Sequence, residues 1–434
     1  MGKKYWLSVK KALLPLDKGR PYFVAWSIVS VFCLSMLVFN SHKVIYEYIH
    51  RPYVTSINYV GLADIDFPEV RLCPGQWING TKVEMAKMSL DVLEYLLGTL
   101  TNTDLHYPDY TTAELQTLDE QYHKWLQKTG RKQLDIKQFL TDIAIDCRET
   151  FQWCGFDHTP MNCCEVAKPI LTDEGVCFSI TSRKKGREAI QTCPGPGKGL
   201  LLEIVEHQRL QPLLRYNVKF EVGHKLAIAN RDVSYLPKSV LVAPGTSTFA
   251  QLSRQDTELQ QECTTTNYRN YSDAYEGCTV CYQTCVRNTT QTQCNCTSFI
   301  GPESELFGNI CSPYQFYKCA RNVIQNPKTI DDCALNVQCG YPCKIRDHDI
   351  KISYTERRDD KIDKSNKTVT FLKVFYTFIG YSLIKEEVAE TFSDFVSNLG
   401  GQLGLWLGSS VLALLQLIFI PCFFSSNEVE VLHK

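Results

Sequence analysis

Residues Asn398 to Gln416 read NLGGQLGLWLGSSVLALLQ, an apolar span in which Gly400, Gly404 and Gly408 recur at four-residue spacing. At about 100° per residue, Asn398, Gln402, Ser409 and Gln416 fall within about 40° of one another, and the glycines occupy another arc. Polar side chains inside a bilayer are costly unless they meet a water-filled cavity or a partner, and small residues at this spacing let helices approach closely. The stripe therefore reads either as the wet face of a pore helix or as a helix-packing seam. The rest of the chain decides between them.

The chain has 434 residues, net charge −1 and a pI of about 6.7. That balance gives no bias toward nucleic acid or acidic partners. Uncharged apolar residues concentrate in two places, Pro21 to Ser41 and Phe395 to Asn427. Each is long enough to cross a hydrocarbon core of about 30 Å as a helix. The first run exceeds the apolar stretch of a secretory signal, and no small-x-small cleavage site follows Phe39, so it reads as a retained membrane helix. Lys3, Lys4, Lys10, Lys11, Lys18 and Arg20 precede it against the single Asp17. The positive-inside rule then places the N-terminus in the cytosol, and a second crossing returns the C-terminus to that side. The opening Met-Gly does not read as a myristoylation signal, because Trp6 stands where that motif needs Ser or Thr.

Cysteine usage gives the same topology. Of twenty cysteines, Cys33 and Cys422 lie in the apolar spans and the other eighteen lie between them, an even number suited to an oxidised extracellular framework. The same segment holds the sequons at Asn79, Asn270, Asn288, Asn295 and Asn366. Zinc is the competing reading of Cys278-Thr-Val-Cys281 and Cys294-Asn-Cys296, and an oxidising compartment disfavours it. The expected organisation is a cytosolic 1–20, a membrane helix at 21–41, a disulfide-rich extracellular domain at 42–394, a second membrane helix at 395–424 and a cytosolic 425–434. Within the extracellular part, Val83 to Gln138 carries helical spacing, and Gly199 to Ile228 and Val369 to Ile379 carry β-branched and aromatic runs that read as strands. Cys263 to Cys343, rich in Thr, Asn and Gly, is expected to fold as short elements stapled by bridges. The domain is thus mixed α and β.

The motifs identify a family. Glu262-Cys263, Cys281-Tyr-Gln-Thr-Cys285, Cys294-Asn-Cys296, Cys311-Ser-Pro-Tyr-Gln-Phe-Tyr-Lys-Cys319 and Cys339-Gly-Tyr-Pro-Cys343 resemble the degenerin, epithelial sodium channel and acid-sensing ion channel family. Phe67-Pro-Glu-Val-Arg-Leu-Cys73-Pro is similar to its FPAVTxCN stretch, Gly175-Val-Cys177-Phe178 to its G-x-C-[YF] motif, and Gly408-Ser409-Ser410 to its G/S-x-S pore sequence. The resemblance implies bridges Cys73–Cys177, Cys147–Cys154, Cys263–Cys343, Cys281–Cys339, Cys285–Cys333, Cys294–Cys319 and Cys296–Cys311. Cys163, Cys164, Cys193 and Cys278 are left over, with no pairing fixed by sequence.

The same resemblance implies a homo- or heterotrimer with three copies of the second helix around a pore for sodium, without cofactor or bound metal. Gly408, Ser409 and Ser410 would form the filter, and Ser397, Asn398, Gln402 and Gln416 would line the pore or gate. Asn398 stands where acid-sensing members carry aspartate, and it also suits a solvated helix cap. Gln416 replaces a glutamate of the inner pore, which weakens cation attraction. Arg321 and Asn322 stand where acid-sensing members place a carboxylate, which disfavours that mode of proton gating. The family's cytosolic His-Gly pair is absent from Met1 to Arg20. The leading expectation is a sodium-preferring channel of the plasma membrane, opened by an extracellular ligand or a mechanical cue. The alternative is a non-conducting subunit or surface receptor of the same fold. No nucleophile elbow, metal triad or paired-carboxylate motif supports an ectoenzyme, and His207 and His224 read as structural or solvated. The cysteine pattern also separates the chain from ATP-gated trimeric receptors.

Overall fold

A computed structural model describes residues 20–50, 53–99, 110–172, 175–181, 183–184, 187–207, 223–229, 239–260, 274–297, 309–334, 343–356 and 367–408. The chain divides into two compact units, Met1–Ser56 with Glu386–Lys434, and Ile57–Lys385.

The first element is helix α1 (Arg20–His50), whose Val24–His50 portion is the one stretch among the described residues long and apolar enough to cross a membrane. It runs nine residues past Ser41, the expected end. Its last turns are held by i,i+4 partners: Lys43 Nζ lies 3.8 Å from Glu47 Oε1, and the Tyr46 and His50 rings stack at 3.8 Å.

Strands β1 (Tyr53–Gly61), β2 (Ile65–Asp66) and β3 (Glu69–Pro74) follow, and then the helices α2 (Gly80–Met85), α3 (Leu90–Leu97), α4 (Thr112–Lys128), α5 (Ile136–Ile143) and α6 (Cys147–Thr150). Helix α4 shows why this segment is helical. Thr111 and Glu114 form a capping box, and Leu118, Tyr122, Trp125 and Leu126 recur on one buried face. That face joins Leu93, Leu96, Phe139 and Leu140 in a helical core, where full burial of each large apolar side chain contributes about 1.5–3 kcal/mol.

The sheets are built from β4 (Phe151–Phe156), β5 (Thr159–Met161), the short helix α7 (Cys163–Val166), β6 (Ala167–Thr172), β7 (Gly175–Ile180), β8 (Arg183–Lys184), β9 (Arg187–Glu188), β10 (Ile190–Gln191), β11 (Leu200–His207), β12 (His224–Ala229), β13 (Ser239–Val242) and β14 (Thr246–Glu258). Helices α8 (Ala274–Cys294), α9 (Pro313–Gln315), α10 (Arg321–Ile324) and α11 (Pro327–Ala334) precede the long strands β15 (Lys344–Glu356) and β16 (Lys367–Val388). One sheet runs β15-β14-β16-β11-β4-β5 with β1 also on β16, and another runs β13-β12-β3-β7-β6. Leu72, Phe178, Ile180, Leu202, Leu226 and Val374 belong to the core formed by these strands. In β14, Thr246, Thr248, Ala250 and Leu252 alternate inward, the period-two pattern of a half-buried strand. At Gly380 of β16 a Cβ would lie 2.2 Å from the Val60 carbonyl oxygen, so only glycine fits that approach.

The bridges Cys73–Cys177, Cys285–Cys333, Cys294–Cys319 and Cys296–Cys311 are formed as the resemblance implies. Cys281 and Cys343 are also disulfide-bonded; Cys339 and Cys263 lie outside the described residues. The expected Cys147–Cys154 pairing is replaced by Cys147–Cys164 and Cys154–Cys163. The cause is a tight β4–β5 hairpin: Asp157 and His158 both adopt positive φ, 50° and 58°, and Cys154 registers against Met161. Chain reversal thus returns Cys163 to Cys154 and leaves its neighbour Cys164 for Cys147. Cys193 is exposed and has no disulfide partner among the described residues.

The stapled region also departs from expectation, because α8 is a helix of 21 residues. Its threonines satisfy their hydroxyls internally: Thr289, Thr290 and Thr292 donate to the carbonyls of Cys285, Val286 and Asn288. The composition that resembles loop is absorbed by the helix. Asn79 has a structural role in the fold. It is 3% exposed and caps α2, its Oδ1 accepting from the Thr81 and Lys82 N–H groups at 3.0 and 3.4 Å while Nδ2 donates to Glu149. Glycosylation there would consume the same amide. Asn288 and Asn295 are exposed; Asn270 and Asn366 lie outside the described residues.

Within the large sheet, His348 Nε2 lies 3.1 Å from Tyr376 Oη. Burial, reinforced by the Arg254 and Arg346 guanidinium groups and only partly opposed by Asp347 and Asp256, pushes the imidazole down to about 4. The folded ring stays neutral where the unfolded ring takes up a proton near pH 6.5. Stability is therefore lost on acidification from about 6.5 to about 4, by up to about 3 kcal/mol. Melting of the detergent-solubilised chain across that window should show a shallower pH slope for His348→Gln than for wild type. Equal slopes would remove His348 from the account.

Glycopeptide mapping should find Asn79 unoccupied, and Asn79→Ala should destabilise the fold by about 1 kcal/mol through loss of the cap. Occupancy at Asn79 would contradict its buried, capped state.

Candidate functional site

The second apolar segment opens as helix α12 (Phe392–Leu407). Its start is a capping box: Asp394 N–H donates to Thr391 Oγ1 at 3.2 Å, while Asp394 Oδ2 accepts from Thr391 N–H at 3.0 Å and from its hydroxyl at 2.6 Å. Those bonds hold the exposed Asp394 carboxyl below its usual range, the side-chain bond contributing most. The helix ends where Gly408 turns left-handed, at φ 63° and ψ 19°, its N–H donating to the Gly404 carbonyl at 3.0 Å. This is an αL cap of the kind glycine adopts without penalty. The expected filter triplet therefore begins at the residue that stops the helix. Ser409, Ser410 and Gln416 lie outside the described residues.

Helices α1 and α12 pack within one unit. Phe32 meets Trp406 edge-on at 6.2 Å between ring centroids, and Tyr48 stacks on Phe395 at 4.4 Å. Half-buried Leu399 and Leu403 fall on the same arc of α12. An adjoining arc carries Asp394, Ser397, Asn398, Gly401, Leu405 and Gly408, all exposed; Leu405 is 73% exposed. Sequence reasoning missed Gly401 and Leu405, whose place follows only once Phe395 and Trp406 fix the packed side.

The polar stripe is divided by this packing. Gln402 is half-buried, and its Oε1 accepts from Trp406 Nε1 at 3.0 Å. An indole N–H at membrane depth finds no water, so a side-chain acceptor one turn away is absorbed by it. Gln402 thus sits on the flank of the packed arc instead of the exposed one. Asn398 remains exposed, and its Nδ2 donates to Glu390 Oε1 at 2.6 Å. The other Glu390 oxygen, Oε2, is enclosed and accepts no hydrogen bond among the described residues.

In the extracellular unit, Asn322 donates to the Lys318 carbonyl at 3.5 Å within its own helical segment. His224 is 3% exposed, its Nε2 lying 2.9 Å from Glu206 Oε1, which makes it a buried structural residue. Among the described residues no group of three or more His, Cys, Asp or Glu side chains is arranged to hold a metal ion.

These features belong to an ion channel. The model of the amiloride-sensitive sodium channel family matches residues 11–420, and the chain belongs to that family, the one to which degenerins, epithelial sodium channels and acid-sensing channels are assigned. Its members are channels and not enzymes, and membership implies two membrane helices with a large extracellular domain. The chain is 24% identical to acid-sensing ion channel 2 of Homo sapiens over 422 residues, covering 91% of this chain and 80% of that one. It is 24% identical to acid-sensing ion channel 1 of Gallus gallus over 425 residues, 91% and 77% of the two chains. A solved proton-activated chloride channel shares 8% identity at a TM-score of 0.35, over 92% of this chain and 99% of that one; at that score the likeness says nothing of mechanism here.

Gly408→Ala forces an L side chain into a left-handed conformation, at a cost of about 1–2 kcal/mol. The unfolding midpoint of the solubilised protein should fall, whereas Gly401→Ala, with open space around its Cβ and a helical backbone, should raise it slightly through the better helix propensity of alanine. Equal midpoints for the two variants would count against the left-handed cap.

Proposed function

We propose that the chain is one subunit of a trimeric, sodium-preferring cation channel of the plasma membrane, with both termini cytosolic and a pore lined by α12. The observation that carries this reading is the left-handed cap at Gly408, on the arc turned away from α1, at the point in the apolar sequence where the filter motif begins. A dehydrating cation needs oxygen ligands, and backbone released from a helix supplies carbonyls. Non-helical backbone is tolerated at membrane depth only against protein or water. Gly408, Ser409 and Ser410 would therefore form the filter, and the serine pair would add hydroxyl oxygens that a packing glycine does not need. Ser397 and Asn398, nearer the helix start, would border the gate.

The opening stimulus would be an extracellular ligand or a mechanical cue. Proton gating through a carboxylate beside Arg321 and Asn322 has no support in the residues present. A non-conducting or obligately heteromeric subunit is the second reading. It is favoured by Gln402, whose polar group is committed to Trp406 and would offer nothing to an ion.

Ser410→Leu should move the reversal potential in sodium/potassium bi-ionic conditions toward loss of sodium preference while leaving surface expression intact. Unchanged selectivity in a conducting channel would remove Ser410 from the filter. Ser397→Phe should give a standing inward current that disappears when external sodium is replaced by a large impermeant cation. A surface-expressed variant that stays silent would transfer the weight to the non-conducting reading.

A further inference from the structure

We propose that Cys193 of each subunit forms a disulfide with Cys278 of the next, so that three bridges close the trimer into a covalent ring. The inference rests on the trimer of the proposed function and adds the bond that ties its subunits together. Eighteen cysteines lie between the two apolar spans. The six bridges formed among the described residues take twelve of them. Cys281 and Cys343 are also bonded, with Cys339 and Cys263 as the partners that the family pattern implies. Cys193 and Cys278 are the two that remain. In an oxidising extracellular compartment, cysteines left over from the framework of their own chain point to a bridge between chains.

Cys193 is exposed and unbridged among the described residues, yet its backbone is held in place. Gln191 Nε2 donates to the Cys193 carbonyl at 2.8 Å and to the Tyr376 carbonyl at 3.1 Å, and the Gly195 N–H donates to the same Tyr376 carbonyl at 3.2 Å. Lys198 Nζ reaches Asp157, in the turn between β4 and β5, at 2.9 Å. The loop that carries Cys193 is thus fastened toward the β5 edge of the large sheet. Cys278 stands in the second turn of α8, and α8 packs on β15, the strand at the other edge. The two cysteines therefore belong to elements on opposite flanks of one sheet.

Ring symmetry gives that placement its meaning. A two-fold dimer joins like to like, whereas a three-fold ring joins one surface of each subunit to a different surface of the next. A Cys193–Cys193 bridge would link two of three subunits and strand the third. Two different cysteines on opposite flanks satisfy every contact of the ring once. The bond forms by exchange with a protein or glutathione disulfide of the secretory pathway. One thiolate attacks that disulfide, and the second displaces it from the mixed disulfide. The two cysteine thiols give up two electrons and two protons, and the oxidant's disulfide accepts them and leaves as two thiols.

Surface-expressed wild type, alkylated before lysis, should run on a non-reducing gel as a covalent trimer and collapse to monomer with reductant. Cys193→Ser and Cys278→Ser should each run as monomer. On intact cells each variant should offer one thiol per chain to a membrane-impermeant maleimide, where wild type offers none; Cys33 and Cys422 lie in the apolar spans, out of its reach. Co-expression of the two variants leaves one complementary pair in each mixed trimer and should give a covalent dimer. A wild-type band at monomer or dimer mass would overturn the ring, as would maleimide labelling of both cysteines in wild type. Lysine-directed cross-linking separates that failure from failure of the trimer. Trimers linked through lysine beside a monomer band on the non-reducing gel would strike the bridge and leave the trimer standing, whereas absence of any cross-linked or disulfide-linked trimer would overturn the trimer reading and the bridge with it.

Discussion

Hydrocarbon offers a peptide group no hydrogen bonds, and that constraint organises the membrane-spanning unit. A helix can cross because it satisfies its own backbone, and it can stop only where protein or water takes over. In α12 the stop comes at Gly408, far short of the end of the apolar run at Phe424, through a left-handed residue whose N–H returns to Gly404. Everything proposed for conduction follows from the need to satisfy what the helix leaves unsatisfied. The polar groups that do not serve that end are consumed locally: Gln402 by the indole of Trp406, and Ser35 and Asn40 of α1 by carbonyls one turn back.

The extracellular unit answers a different constraint. Its helical core and its sheet core are separate clusters, and each has bridges of its own. Cys285–Cys333, Cys294–Cys319 and Cys296–Cys311 tie the long helix α8 to the segments that follow it. Cys147–Cys164 and Cys154–Cys163 lock a hairpin to two single-turn helices. Elements of four residues have no independent stability, so in α6 and α7 it is the cross-links, with their effect on the unfolded chain, that hold the geometry.

Much of this was legible from the chain because it rests on period and spacing. The helical spacing of Val83 to Gln138 and the strand at Val369 to Ile379 appear as α2 to α5 and within β16. What escaped depended on partners distant in sequence. Nothing local tells that Asn79 will find Glu149, or that a turn with two positive φ residues will redirect Cys163 to Cys154. The 21-residue α8 was hidden by its threonines, although Cys278, Cys281 and Cys285 already recur at three- and four-residue spacing. On α12, the wheel grouped Asn398 with Gln402, and only the rings of Phe32 and Tyr48 reveal which side is packed.

The identity of residue 398 is coupled to that of residue 390. Asn398 donates to a carboxylate oxygen at 2.6 Å. An aspartate in its place would set two carboxylates at hydrogen-bond distance, where both cannot remain ionised without a cation or a shared proton between them. The amide at 398 avoids that contest and gives the Glu390 oxygen a donor.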